Sequence, residues 1–318
     1  MQTESEFFEV PDGTRLFLHR WRPEAGVVLR GAVQIVHGMA EHGQRYERFA
    51  GALTGAGFEV YALDLRGHGR TAGEPKNVGF FAEAQGWEKV VDDVHQLCVH
   101  IRHEHPGLPL VLFGHSMGSF LARHAMILHG AELDGVMLSG TAGDPGLLGA
   151  AGLTAARAIA GLHGARTPSP LLDQLTFGAY NKPFAPARTR FDWLSRDTAQ
   201  VDRYVADAFC GGIFSAGFFC DLLGGLRFIH QPANLARIPK ALPVYLFSGE
   251  RDPVGAQTRG VRQVHQLLER SGLTNLTMRF YPDGRHEMLN ETNWEEVHRD
   301  VLAWLASVTQ RGEPAAKA

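Results

Sequence analysis

Two hydrophobic rhythms alternate along this chain. Short strand-like runs fall at 32–36, 59–63, 135–139, 244–248 and 277–281, and 110–113 has the continuous apolar character of a strand covered on both faces. Between them lie stripes at helical spacing. One falls near 46–53, and a longer one over 87–103 carries Trp87, Val90, Val91, Val94, Leu97, Cys98 and Ile101 on one face. Others start at Met117, cover about 258–270, and end the chain with Trp294, Val297, Val301, Leu305 and Val308. Ahead of them, 6–10 and 14–21 flank Pro-Asp-Gly, a hairpin signal. A hairpin followed by strand–helix units predicts a mostly parallel, eight-stranded, doubly wound α/β sheet with helices on both faces.

The alternation stops from about Asp144 to Asp221, where Pro, Gly, Ala and aromatics replace strands. So long a stretch is not a loop of a compact domain, and it reads as an inserted cap at 144–220 between core segments 1–143 and 221–318. Its end is rich in phenylalanine: Phe209, Ile213, Phe214, Phe218 and Phe219, interrupted by Gly211, Gly212 and Gly217. These side chains either pack the cap on the core or line an acyl channel whose glycines permit movement. The terminal RGEPAAKA is expected to be disordered.

Composition narrows the class. With 318 residues, 31 Lys plus Arg against 34 Asp plus Glu and no basic stripe, nucleic acid is not the expected partner. The three cysteines are too scattered for a disulfide framework, and Cys98 reads as a core residue. The N-terminus, MQTESEFFEV, lacks the features of a signal peptide, and no apolar stretch is long enough to span a membrane. A cytoplasmic location is expected.

The chemistry concentrates where strands end. Gly-His-Ser-Met-Gly, 114–118, sits between the apolar run 110–113 and the helical stripe from Met117, the context of a nucleophile elbow. Ser116 is therefore the candidate nucleophile; Ser119 already lies inside the helix. A serine hydroxyl needs a base. Among 16 histidines, His286 follows the last strand, whereas His265 and His298 lie on helices and read as solvated. His100, His103 and His105 straddle a helix end and read as surface residues, and His-Glu-Met-Leu-Asn fails as a zinc helix because Asn290 stands where the second histidine is required. No metal is expected. Asp252, just beyond the run 244–248, completes the order Ser, Asp, His; Asp144 and Glu250 are its rivals as the acid. The loop 35–43 can aim the Met39 N–H at an oxyanion, with the Met117 N–H as second donor. The charges of Asp-Leu-Arg-Gly-His-Gly-Arg-Thr, 64–71, read as structural.

Together, HGMAEHGQRY, DLRGHGRT, GHSMG, SGERDP and GRHEMLNE resemble the α/β-hydrolase superfamily, most of all its monoacylglycerol lipase and lysophospholipase branch. The resemblance covers nearly the whole chain, and FDWLSRDTAQVDRYVADAF is similar to the cap of that branch. It implies Ser116, Asp252 and His286 as a triad, Met39 and Met117 as oxyanion donors, and no cofactor. The activity it implies is hydrolysis of carboxylic esters, such as monoacylglycerols or lysophospholipids, at a membrane or micelle surface touched through the cap. A peptidase is the alternative, with Asp192, Asp197, Asp202 and Asp207 available to bind a peptide amine. A non-catalytic binding protein on the same fold is the third reading.

Overall fold

The computed structural model describes residues 1–309; the expected disorder of RGEPAAKA lies outside them. Eight strands form one sheet in the order β1-β2-β4-β3-β5-β6-β7-β8. β1 (Gln2–Glu9) and β2 (Arg15–Arg22) are the antiparallel hairpin, and β2 pairs antiparallel with β4 (Phe58–Leu63). From β4 onward every pairing is parallel, through β3 (Gly31–Val36), β5 (Leu110–His115), β6 (Gly135–Ser139), β7 (Val244–Gly249) and β8 (Leu276–Tyr281). The five strands from β4 to β7 are buried throughout, which is why apolar residues dominate them, with Gln34 and Glu59 among the buried polar exceptions; edge strand β1 is mostly exposed.

Helices cover both faces. On one side, α1 (Glu47–Gly55) and α10 (Trp294–Thr309) pack with Trp21, Phe49, Phe113 and Phe247. On the other, α2 (Gly86–Glu104) and α3 (Met117–His129) cover Leu112, Val136 and Leu246. His298 corrects its expected solvation: it is 3 % exposed, packed between Phe49 and Trp294. It lies four residues after Trp294 and three before Val301, on the buried stripe of α10. His105 bonds the Tyr61 hydroxyl and His100 packs on Phe8, so the 100–105 histidines do not converge.

Between β6 and β7 the chain makes α4 (Gly146–His163), α5 (Pro170–Phe177), α6 (Thr198–Ala206), α7 (Ala216–Ile229) and the short α8 (Pro232–Leu235), and α9 (Arg259–Arg270) links β7 to β8. The boundary expected at 220/221 falls inside α7, which is continuous because its face of Phe218, Phe219, Leu222 and Leu226 packs on α2, α3 and α4. Gly211 serves packing and backbone geometry: it has φ +69°, and an added Cβ would lie 2.7 Å from the Phe191 ring. Among the described residues no helix is long and apolar enough to cross a membrane.

Candidate active site

The turn from β5 into α3 carries Ser116 at φ 52°, ψ −122°, a conformation a non-glycine residue adopts only when its surroundings enforce it. Two constraints do so. The Ser116 N–H donates to the Ser139 carbonyl on β6 at 2.9 Å, and Gly118 lies so close to β3 that a Cβ there would sit 2.0 Å from the Val36 carbonyl oxygen. The strain lifts Ser116 above the carboxyl edge of the sheet. Ser119 is buried, its hydroxyl donating to the Ser116 carbonyl.

The loop after β7 brings Asp252 to the same edge. Its carboxylate is fully buried and accepts from the Val254 N–H (2.9 Å), the Ser248 hydroxyl (3.0 Å) and His286 Nδ1 (3.0 Å). Burial raises Asp252, but the facing imidazole and these hydrogen bonds more than offset it and hold the acid below its ordinary value. For His286, burial works downward while the Asp252 charge and hydrogen bond work upward, and the net shift is upward. The rival acids lie elsewhere: Asp144 accepts from the Gly146 N–H, and Glu250 is exposed.

The loop after β3 completes the floor. His37 is locked between the Gly38 carbonyl and the Leu65 N–H, and the Gly38 N–H is spent on Glu41 at 2.6 Å. Among the described hydrogen bonds, the N–H groups of Met39 and Met117 are not taken up. Met117 opens α3, where backbone N–H groups point outward and the helix dipole favours negative charge.

One group of residues was not singled out from the sequence. Arg45 donates to both carboxylate oxygens of Glu287 (2.7 and 2.8 Å) and to Glu41 (2.6 Å), and Tyr46 donates to Glu41 at 2.9 Å. Burial pushes Glu41 up, but Arg45, the neighbouring His115 and His37 and the Gly38 hydrogen bond together outweigh it and hold the carboxyl below its ordinary value. Glu287 adjoins His286 and Glu41 holds Gly38, so Arg45 ties the two loops together. The signal was present in the i,i+4 pair Glu41/Arg45 and in the acid beside His286.

Two cavities meet at Ser116. One, of about 930 Å³, contains His286, Asp173, Gln174, Asn181, Arg190 and Trp193. The other, of about 1430 Å³, is lined largely by apolar side chains including Phe120, Leu148, Leu175, Tyr180, Phe219 and Leu222. Of the five side chains expected to line an acyl channel, Phe219 lines this apolar cavity. Phe214 and Phe218 are fully buried in a cluster with His68 and Phe81, Phe209 packs edge-on to His42, and Ile213 lines neither cavity. Consecutive phenylalanines on a helix point about 100° apart, so one stretch cannot all face one cavity. The four aspartates considered for a peptide amine also lie outside both cavities; Asp192 is bound to Arg188 and Thr189, Asp197 caps α6, Asp202 pairs with Arg188 and Asp207 with His42.

The sequence profile of the family described as serine aminopeptidase, S33, matches residues 28–293. The chain is 29 % identical to a monoacylglycerol lipase of Mycolicibacterium smegmatis, covering 93 % of this chain and 94 % of that one. It is 28 % identical to the monoglyceride lipase of Homo sapiens, over 94 % and 89 % of the two chains. Among solved structures, a thermostable carboxyl esterase from Bacillus coagulans in complex with glycerol superposes with TM-score 0.89 at 27 % identity, covering 97 % of this chain and 99 % of that one.

Proposed function

The chain belongs to the serine aminopeptidase S33 family of α/β-hydrolases, and on that premise we propose that it is a serine hydrolase of carboxylic esters acting on monoacylglycerol-like lipids. The Ser116 hydroxyl attacks the ester carbonyl while His286 Nε2 takes its proton. Asp252 holds Nδ1–H, fixing the tautomer and stabilising the imidazolium. The N–H groups of Met39 and Met117 receive the oxyanion. Collapse of the tetrahedral adduct breaks the bond to the alcohol oxygen, which leaves with the proton from His286. Water, deprotonated by the same imidazole, then releases the acyl group as a carboxylate.

The observation that carries this reading is a buried Asp–His pair and a strained serine at the meeting point of a polar and an apolar cavity. The apolar cavity takes the acyl chain and the polar one the alcohol. In this reading the insert between β6 and β7 is a cap. Leu147, Leu148, Leu162, Leu171 and Leu175 on α4 and α5 are 58–91 % exposed and give it a face for a membrane or micelle surface. Against the peptidase reading, Asp173 in the polar cavity is already paired with Arg190, while Glu41 and Glu287 are held by Arg45. A panel of monoacylglycerols, lysophospholipids and aminoacyl amides tests the assignment. Turnover of the esters is expected; preference for the amides would overturn it.

A further inference from the structure

A third cavity, of about 1060 Å³, lies outside the catalytic floor, along the side where α4 runs on α7. Its basic lining is Arg157 from α4, Arg227 from α7 and His230 just beyond α7. Neither arginine makes an ion pair among the described residues. His230 is 8 % exposed, and its Nδ1–H donates to the Leu226 carbonyl.

The charge beneath this cavity has the same sign. Arg123 is fully buried, bonds only backbone carbonyls of Ala142 and Ile229, and leaves Nε unpartnered. Burial draws it down to about 9, so it remains charged at neutral pH. The one carboxylate lining the cavity, Asp144, also accepts from the Gly146 N–H. Three guanidinium groups against one acid leave an excess of positive charge here, while burial and the Arg123 charge draw His230 down to about 4 and keep it neutral.

Most of the remaining wall is apolar, with Leu153, Leu223 and Pro145, beside the polar Thr154 and Gln231. Leu223, Pro145 and Asp144 also line the large cavity that starts at Ser116, so the two spaces share a wall. An isolated anion would use only the basic side. From this pairing of unpaired cations with a hydrocarbon wall, we propose that the α4/α7 cavity binds a medium- or long-chain carboxylate, its head on Arg157 and Arg227 and its tail along Leu153 and Leu223. That such a carboxylate is also the enzyme's product rests on the ester-hydrolase reading; the site itself does not.

Calorimetric titration of the intact protein with decanoate, decan-1-ol and inorganic phosphate, each below any micellar concentration, separates the contributions of head and tail. Decanoate is expected to bind at least tenfold more tightly than either comparison compound. In Arg157→Gln/Arg227→Gln, both exposed positions, decanoate binding falls at least tenfold, while decanol binding, melting temperature and turnover of a butyrate ester stay unchanged. Equal binding of decanoate and decanol, equal binding of decanoate and phosphate, or decanoate binding indifferent to the double substitution would each overturn the proposal. Arginine-dependent decanoate binding in a protein that turns over no ester would remove the proposed function and leave this site standing. Ester turnover without such binding would do the reverse.

Discussion

Below the cavities at Ser116 nearly every polar group is engaged. Asp252 accepts three hydrogen bonds, Glu41 and Glu287 share Arg45, and His37 is bonded through both ring nitrogens. Above them the inserted helices present leucines to solvent, with Leu147 and Leu148 at 91 % and 85 % exposure, and enclose space with side chains that make few directional contacts. In the proposed function, the contrast follows from what each region has to do. Proton transfer and oxyanion binding require donors and acceptors fixed to within a few tenths of an ångström, which hydrogen bonds and strained backbone supply. Selecting an acyl chain requires only apolar area, roughly 25 cal/mol for each Å² removed from water.

The largest effect should come from breaking the floor at its reacting atom. Ser116→Ala is expected to lower ester turnover by about 10⁶-fold, with a fluorophosphonate adduct mapping to Ser116 in the parent protein. An adduct on Ser119 or a cysteine would show that the strained turn is not the reacting centre. Asp252→Asn should lower turnover by about 10⁴-fold through the wrong tautomer. It should also move the pH profile. The base works only when deprotonated, so activity is lost as pH falls through the His286 pKa, which Asp252 holds above 6.5. Removing that charge leaves burial to pull the value down, and the acid limb of kcat/KM should shift to lower pH in the variant. A limb that stays in place would exclude the Asp252 charge as its cause.

Arg45 tests whether the two loops of the floor act as one unit. Arg45→Met leaves Glu41 and Glu287 buried without their cation, which should cost about 3–5 kcal/mol of stability. Misplacement of the Met39 N–H and His286 should lower kcat on the order of 10²-fold, with KM for a short ester little changed. If kcat is unaffected while stability falls, the network serves the fold alone.

Much of this floor was legible in the sequence because its residues sit in short motifs bound to strand ends, where a glycine-flanked serine or an Asp-Pro turn has few structural alternatives. Apolar runs marked the strands for the same reason: a strand covered on both faces admits a polar side chain only with a buried partner, as Gln34 has in the Val94 carbonyl and Glu59 in Arg20. Arg45, Glu41 and Glu287 escaped notice because Glu287 is 242 residues from Arg45 and each charge alone reads as a surface group. The insert was harder still. Phe214, Phe218 and Phe219 look alike along the chain, yet only Phe219 reaches the cavity at Ser116, and which one does so depends on how α7 is rotated against α2 and α3.

The roof should respond differently from the floor. Leu175→Asp, on an exposed residue of α5 that lines the apolar cavity, should flatten the dependence of kcat/KM on acyl length with little change in melting temperature. Phe218→Ala should do the opposite, lowering stability by about 3–5 kcal/mol and leaving the relative chain-length preference intact. Exchange of these two outcomes would place the acyl chain under α7 rather than in the cavity beside α5.

The most direct test of the account is kcat/KM for p-nitrophenyl esters from acetate to dodecanoate, measured below their micellar concentrations. The apolar cavity predicts a rise beyond butyrate, each buried methylene contributing up to about 0.8 kcal/mol. A maximum at acetate would contradict the assignment of that cavity to the acyl chain.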